Sequence, residues 1–182
     1  MTFLTVPVSN RDYCQGSETA LVTLVEYGNY QCTDCLEADQ VIQTIQTQLG
    51  AIYNGEEHLR FVFRHFFKPE IHPMAQNAAE ASLAAAVQGQ FWEMHHCLFS
   101  HQHILDDAVL VECADAIKLN IEQFLYEMSE HIYANRVREI VESGKACGVT
   151  TTPTFFINNH RYYGAWDTDT LLSVIQAKIE QT

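Results

Sequence analysis

Cys32 and Cys35 enclose two residues, Thr33 and Asp34, in the run Val25-Glu-Tyr-Gly-Asn-Tyr-Gln-Cys32-Thr-Asp-Cys35. Two sulfurs one helical turn apart can share a disulfide or hold two thiols, and can pass between these forms by thiolate attack. The reactive form is the thiolate. It is favoured where unpaired backbone N–H groups and the positive end of a helix dipole face the sulfur. Cys32 lies nearest that helix tip, so it is the expected exposed attacking thiol. Cys35 is the expected more buried, resolving thiol. Zinc would need two further ligands, usually a second close Cys or His pair. Cys97, Cys113 and Cys147 each stand alone in the sequence, so zinc is not the expectation at Cys32 and Cys35.

Glu26 is the acid to watch. It sits inside the apolar run Ala20-Leu-Val-Thr-Leu-Val-Glu-Tyr-Gly28. Buried there, its pKa should rise, which makes it a candidate proton acceptor for Cys35. The competing reading is a strand-end glutamate that reaches solvent.

The elements that must carry these residues follow from periodicity. Residues 20–28 form a near-continuous apolar strand with both faces covered. Residues 33–49 place Ala38, Val41, Ile42, Ile45 and Leu49 on one helical stripe. Asn54-Gly55 marks a turn, and residues 58–66 alternate as a second strand. Strand, helix, strand makes a crossover unit with a parallel pair. An irregular lead-in occupies residues 1–19, with a short edge strand near Leu4–Val8.

A helical block follows over residues 68–147. Its first helix enters at His72-Pro73, where proline is tolerated in a first turn. Asp106 or Asp107 caps a later helix. The chain then returns to strand at Thr154–Asn158, turns at Asn158-Asn159, and pairs back through Arg161–Tyr163. Asp167 or Thr168 caps the last helix. The division is therefore a core of residues 1–67 and 148–182 with an inserted helical domain at 68–147.

Composition bounds the function. A chain of 182 residues buries roughly 70% of its unfolded surface and needs no disulfide staples. The six cysteines do not read as a secreted disulfide framework. Cys97, Cys113 and Cys147 fall on apolar helical positions or a helix end and read as buried small hydrophobes. Cys14, in the lead-in, reads as exposed. The formal charge of −13 argues against nucleic acid and anionic membrane surfaces as partners. With no basic leader and no long apolar run, the chain reads as cytoplasmic. His95, His96, Cys97, His101 and His103 crowd nine residues, but their spacing fits no standard metal site. His65 and His72 read as structural or surface groups, and Phe66 and Phe67 as candidates to line an apolar groove beside the cysteines.

Four motifs in order, the Val25–Cys35 run, Phe61-Val-Phe-Arg-His-Phe66, Phe91-Trp-Glu-Met-His95 and Gly148-Val-Thr-Thr-Thr-Pro-Thr-Phe-Phe-Ile157, resemble the DsbA-like branch of the thioredoxin superfamily. The resemblance covers nearly the whole chain from about Leu21. It implies an α/β fold, thioredoxin-like, with the inserted α-helical domain, and a thiol–disulfide oxidoreductase. It also implies a cis bond between Thr152 and Pro153, facing the cysteines. A cis bond there leaves the Thr152 backbone available to pair with an extended substrate strand. The implied partners are proteins or peptides with disulfides or thiols, and a redox partner. The cysteine pair needs no separate cofactor; glutathione or another dithiol is the candidate electron partner.

The chain departs from the strongly oxidising DsbA type at Asp34. That type carries a histidine beside the resolving cysteine, whose cation would stabilise the thiolate. Asp34 repels it, so a less oxidising couple is expected. Two other readings stand beside the oxidoreductase. One is a redox-switched peptide-binding or chaperone-like module. The other is a glutathione-dependent transferase or isomerase of a related branch, which usually lacks the second cysteine.

Overall fold

Val22–Gly28 forms strand β2, buried along almost its whole length. Its continuous apolar run demands cover on both faces. The structure, a computed structural model, describes residues 2–53 and 58–181. Within these, β2 is the centre of a five-stranded sheet of order β1-β3-β2-β4-β5. The other strands are β1 (Tyr13–Gln15), β3 (Leu59–His65), β4 (Thr154–Ile157) and β5 (His160–Arg161), with β3 and β4 flanking β2. The Asn54-Gly55 turn lies outside the described residues.

Helix α1 (Thr33–Tyr53) follows β2 and buries Cys35, Ala38, Asp39, Ile42, Ile45 and Leu49. That is the expected stripe with two polar-capable additions, Cys35 and Asp39; Val41 sits half-buried at its edge. The antiparallel register of β2 on β4 sets Glu26 opposite Phe155 and Tyr27 opposite Thr154. Asn158 and Asn159 take left-handed φ values of 46° and 69° and turn β4 into β5. Helix α7 (Thr168–Ile179) is capped by Asp167, whose carboxylate accepts from the Thr170 N–H at 3.0 Å.

The lead-in differs from the expected edge strand at Leu4–Val8. Phe3 makes a single bridge to His160, and Tyr13–Gln15 forms the strand, antiparallel to β3. An ion pair inside the fold accounts for the shift. Arg64 on β3 is buried, and its Nε and Nη2 donate to the Asp12 carboxylate at 2.7 and 2.9 Å. Its Nη1 donates to the Val6 carbonyl at 2.8 Å and to the Tyr27 hydroxyl at 3.0 Å. A guanidinium buried this way needs acceptors. The Val6 carbonyl serves as one such acceptor rather than as a ladder partner.

The chain forms two compact units. One holds Met1–Gly28, Asp34–Arg64 and Ser143–Thr182; the other holds Asn29–Thr33 and His65–Glu142. The second unit contains α2 (Ala75–Val87), α3 (Phe91–Ser100), α4 (Asp107–Ala116), α5 (Ile121–Ser129) and most of α6 (Ala134–Ala146). Alanine-rich α2 is buried on nearly every side, against α3, α4 and α5. Small side chains let three helices approach it. Asp106 caps α4, accepting from the Val109 N–H at 2.9 Å.

Candidate active site: a dithiol at the start of a helix

Cys32 immediately precedes α1, and Cys35 lies in its first turn. The approach to the helix is held by its own side chains. Asn29 Oδ1 accepts from the Gln31 N–H at 2.9 Å, and the Asn29 carbonyl accepts from the Cys32 N–H at 3.2 Å. Asn29 Nδ2 donates to the Phe66 carbonyl at 3.2 Å, and Gln31 Oε1 accepts from the Met74 N–H at 2.7 Å. The Cys32 carbonyl accepts from Gln102 Nε2 at 2.8 Å. Gln102 opens a short 3-10 turn, Gln102–Ile104, and is itself buried.

Cys32, expected to be exposed, is nearly buried, whereas Cys35 is buried in line with its expected resolving position. Cys32 retains 8% of its surface and Cys35 none. The expected order of accessibility is present, but the attacking candidate shows only an edge.

Around Cys35, Gly28 is the informative residue. A Cβ built on it would lie 2.7 Å from Glu26 Oε1, 2.9 Å from Phe63 Cε2 and 3.2 Å from Cys35 Sγ. The Glu26 carboxylate and the Cys35 sulfur therefore flank one small space at the end of β2, no farther apart than those two distances together. Glu26 is buried, not a strand-end group reaching solvent. Only glycine leaves room for both. Asp39, one turn after Cys35 on the same helix face, is also buried and accepts from Gln43 Nε2 at 2.7 Å. Asp34 is exposed.

The Thr152–Pro153 bond is cis, and both residues are half-buried. Thr154 follows at the start of β4, its hydroxyl donating to the Thr151 carbonyl at 2.7 Å. The Tyr27–Thr154 pairing places this loop next to the end of β2, one residue before Gly28.

Other candidates resolve differently. Cys97 and Cys113 are not isolated small hydrophobes: they form a disulfide joining α3 to α4. Their apolar-face positions bring the two sulfurs together, which periodicity alone does not distinguish from simple burial. Cys147 is buried, within 3.2 Å of the Thr5 N–H and 3.1 Å of the Thr5 hydroxyl. Cys14 is half-buried on β1, where burial pushes its thiol pKa up against the opposing pull of Arg60. Phe66 and Phe67 are buried rather than lining an open groove. His65 is a core histidine. Ser82 Oγ donates to the Ala79 carbonyl at 2.8 Å, so His65 Nε2–H donates to Ser82 at 3.0 Å. Burial, helped by His95 and Arg136, holds its pKa down to about 3. The histidine run disperses: His95 is buried with Nδ1 3.2 Å from the Tyr30 hydroxyl, while His96 and His103 are exposed.

Sequence reading missed Asn29, Asp39 and Gln102. Asp39 was findable, since it falls on the apolar stripe of α1. Asn29 had the signature of a side chain bonding its own backbone two residues on. Gln102 reaches Cys32 across 70 residues, and no local pattern encodes that.

The family model described as thioredoxin matches residues 9–177. A protein named Na(+)/H(+) antiporter NhaA 1, from Salinispora arenicola, is 35% identical over 180 residues, covering 98% of this chain and 26% of its own length. The chain thus spans about a quarter of the curated relatives it matches. Among solved structures, oxidised BdbD from Bacillus subtilis superposes with a TM-score of 0.81 at 21% identity, covering 98% of both chains. The thiol-disulfide exchange protein alpha-DsbA2 from Wolbachia pipientis gives 0.71 at 19% identity, over 94% of this chain and 87% of its own. At those identities the likeness is one of fold.

Proposed function

Because the chain belongs to the thioredoxin family, we propose that it exchanges disulfides through the Cys32-Thr-Asp-Cys35 pair. The observation that carries the proposal is the graded burial of two cysteines at one helix start, 8% exposed and 0% exposed. An external disulfide meets Cys32 first. The helix tip favours the Cys32 thiolate. Its attack breaks the incoming S–S bond, forms a mixed disulfide at Cys32 and releases one substrate thiolate. Cys35 then loses its proton and attacks Cys32 Sγ. The second substrate thiolate leaves, and the Cys32–Cys35 disulfide remains. The reverse sequence oxidises a substrate dithiol.

Glu26 takes the Cys35 proton in this scheme. A buried thiol has few acceptors, and this carboxylate faces the same space beside Gly28. Thr152, ahead of cis-Pro153, offers its backbone to an extended substrate segment. Substrates are proteins or peptides bearing disulfides or thiols, and glutathione or another dithiol closes the cycle without a separate cofactor. In a cytoplasmic setting the net direction is reduction or isomerisation.

Ion transport is not carried over from the antiporter relative. The match covers a quarter of it, and no described helix is long and apolar enough to cross a membrane.

Insulin reduction with a dithiol donor tests the proposal. Wild type is expected to turn over, and Cys32→Ser to lose turnover. Cys35→Ser should instead accumulate a mixed disulfide at Cys32. Absence of wild-type turnover, with the protein still binding unfolded peptide, would favour a redox-switched binding module.

A further inference from the structure

The second unit carries a sulfur–imidazole cluster unrelated to the Cys32–Cys35 chemistry. Cys97, at the C-terminal part of α3, is joined to Cys113 on α4. His101 caps the end of α3, with Nδ1 3.7 Å from Cys97 Sγ and 3.9 Å from Cys113 Sγ. All three donor atoms lie within 4.8 Å of one another. Cys113 is buried, whereas Cys97 and His101 are half-buried, so one side of the cluster faces solvent.

We propose that this cluster is a redox-gated metal site: closed as the Cys97–Cys113 disulfide, and able to take a thiophilic divalent cation of the zinc class once reduced. The chemistry balances. An external dithiol supplies two electrons and two protons. The Cys97–Cys113 bond breaks, two thiols form, and the reductant leaves as its own disulfide. The cation then displaces both thiol protons, and the dication with two thiolates is neutral.

Geometry favours zinc over a mere clip. Zinc with Zn–S near 2.3 Å and Zn–N near 2.0 Å makes tetrahedral edges of roughly 3.5–3.8 Å. Both imidazole-to-sulfur separations are already close to that. Only the two sulfurs must part, and each sits on its own helix. Three protein ligands leave a fourth, solvent-facing position for water, the pattern of an open site.

The imidazole can be released to a metal at little cost. His101 Nδ1 lies 2.8 Å from the Cys97 carbonyl and 3.0 Å from Ser100 Oγ. That carbonyl also accepts the Ser100 hydroxyl at 2.7 Å and the His101 N–H at 3.2 Å. Moving the His101 proton to Nε2 frees the Nδ1 lone pair, and the carbonyl keeps two donors.

The experiment uses the full chain carrying Cys32→Ser and Cys35→Ser, so that the helix-tip pair cannot bind metal. Zinc chloride is titrated before and after phosphine reduction, against a chromophoric chelator. The expected result is about one zinc per chain after reduction, and none before. Adding Cys97→Ser with Cys113→Ser should abolish binding, and His101→Ala should weaken it at least tenfold. Cobalt(II) on the reduced protein should show thiolate-to-metal charge-transfer absorption. A protein without these substitutions gives a fold-independent check: zinc should shield Cys97 and Cys113 of the reduced chain from alkylation, read by peptide mass spectrometry. No zinc uptake on reduction, uptake that survives loss of both cysteines, or affinity unchanged by His101→Ala would each overturn the site.

Discussion

Replacing Gly28 by alanine adds one methyl group where the structure has room for none. The new Cβ would stand 2.7 Å from Glu26 Oε1, 2.9 Å from Phe63 Cε2 and 3.2 Å from Cys35 Sγ. The first two are closer than real Cβ contacts come, so a carboxylate or an aromatic ring must move. Both belong to buried residues. Overpacking of this kind costs about 1–3 kcal/mol. At this chain length each kcal/mol lowers Tm by about 2–4 °C. Urea unfolding of Gly28→Ala therefore should show that loss with an unchanged slope against denaturant. The carboxylate supplies the tightest contact, so its removal should relieve part of the cost. In a double-mutant cycle, Glu26→Ala and Gly28→Ala should couple by at least about 0.5 kcal/mol, the double mutant being less damaged than the sum. A Gly28→Ala protein within about 0.5 kcal/mol of wild type, the range of ordinary surface changes, would refute the packing argument. Strict additivity would show that Glu26 is not the group displaced.

Glu26→Gln keeps the shape and removes the proposed base. Resolution by Cys35 should slow by about 10², seen as a longer-lived mixed disulfide in acid-quenched mass spectra; an unchanged lifetime would remove Glu26 from the proton path. Arg64→Ala strands the buried Asp12 carboxylate and should cost about 3–5 kcal/mol in chemical unfolding, whereas a loss under 1 kcal/mol would mean that Asp12 finds solvent. The His65 effect has a defined sign. Its pKa is about 3 folded and about 6.5 unfolded, so between those values only the unfolded chain takes the proton. Stability is then full above pH 6.5 and falls as pH drops through it, by about 1.4 kcal/mol per unit. His65→Gln should flatten that acid limb, and an identical limb in the variant would assign it elsewhere. For the cysteine pair, equilibration with glutathione should give a potential well below the roughly −120 mV of DsbA, and Asp34→His should raise it; a wild-type value at DsbA's level would sink the argument from Asp34.

What the sequence made legible was whatever is encoded locally. The apolar run ending at Gly28, the stripe on α1, and the caps at Asp106 and Asp167 each write their element within a few residues. The cysteine pair at the α1 start was legible for the same reason. The lead-in was not, because its strand depends on Arg64 finding Asp12 across 52 residues. Nor was the Cys97–Cys113 link. Both sulfurs occupy apolar-face positions, and a small buried hydrophobe and half a disulfide look alike in a periodic pattern. The convergence of Glu26 and Cys35 on Gly28 was half legible. The place of Glu26 inside the apolar run suggested the pair, but not the glycine that keeps the space open.

Burial also bears on the division of work proposed for the two cysteines. Thiolate stability favours Cys32, since the dipole effect fades within the first turn. Accessibility favours it independently, since Cys35 has no exposed surface. An incoming disulfide must align three sulfurs nearly in line. With Cys32 offering only an 8% edge, extended, sterically thin segments reach that line far more readily than folded surfaces do. Exposed disulfides in unfolded or strand-like peptides should therefore react much faster than the same disulfides in native globular proteins. Bulky aromatic disulfides should lag behind glutathione disulfide despite their better leaving groups. If reactivity instead tracked leaving-group pKa alone across such a series, the constricted approach to Cys32 would have no part in selecting substrates.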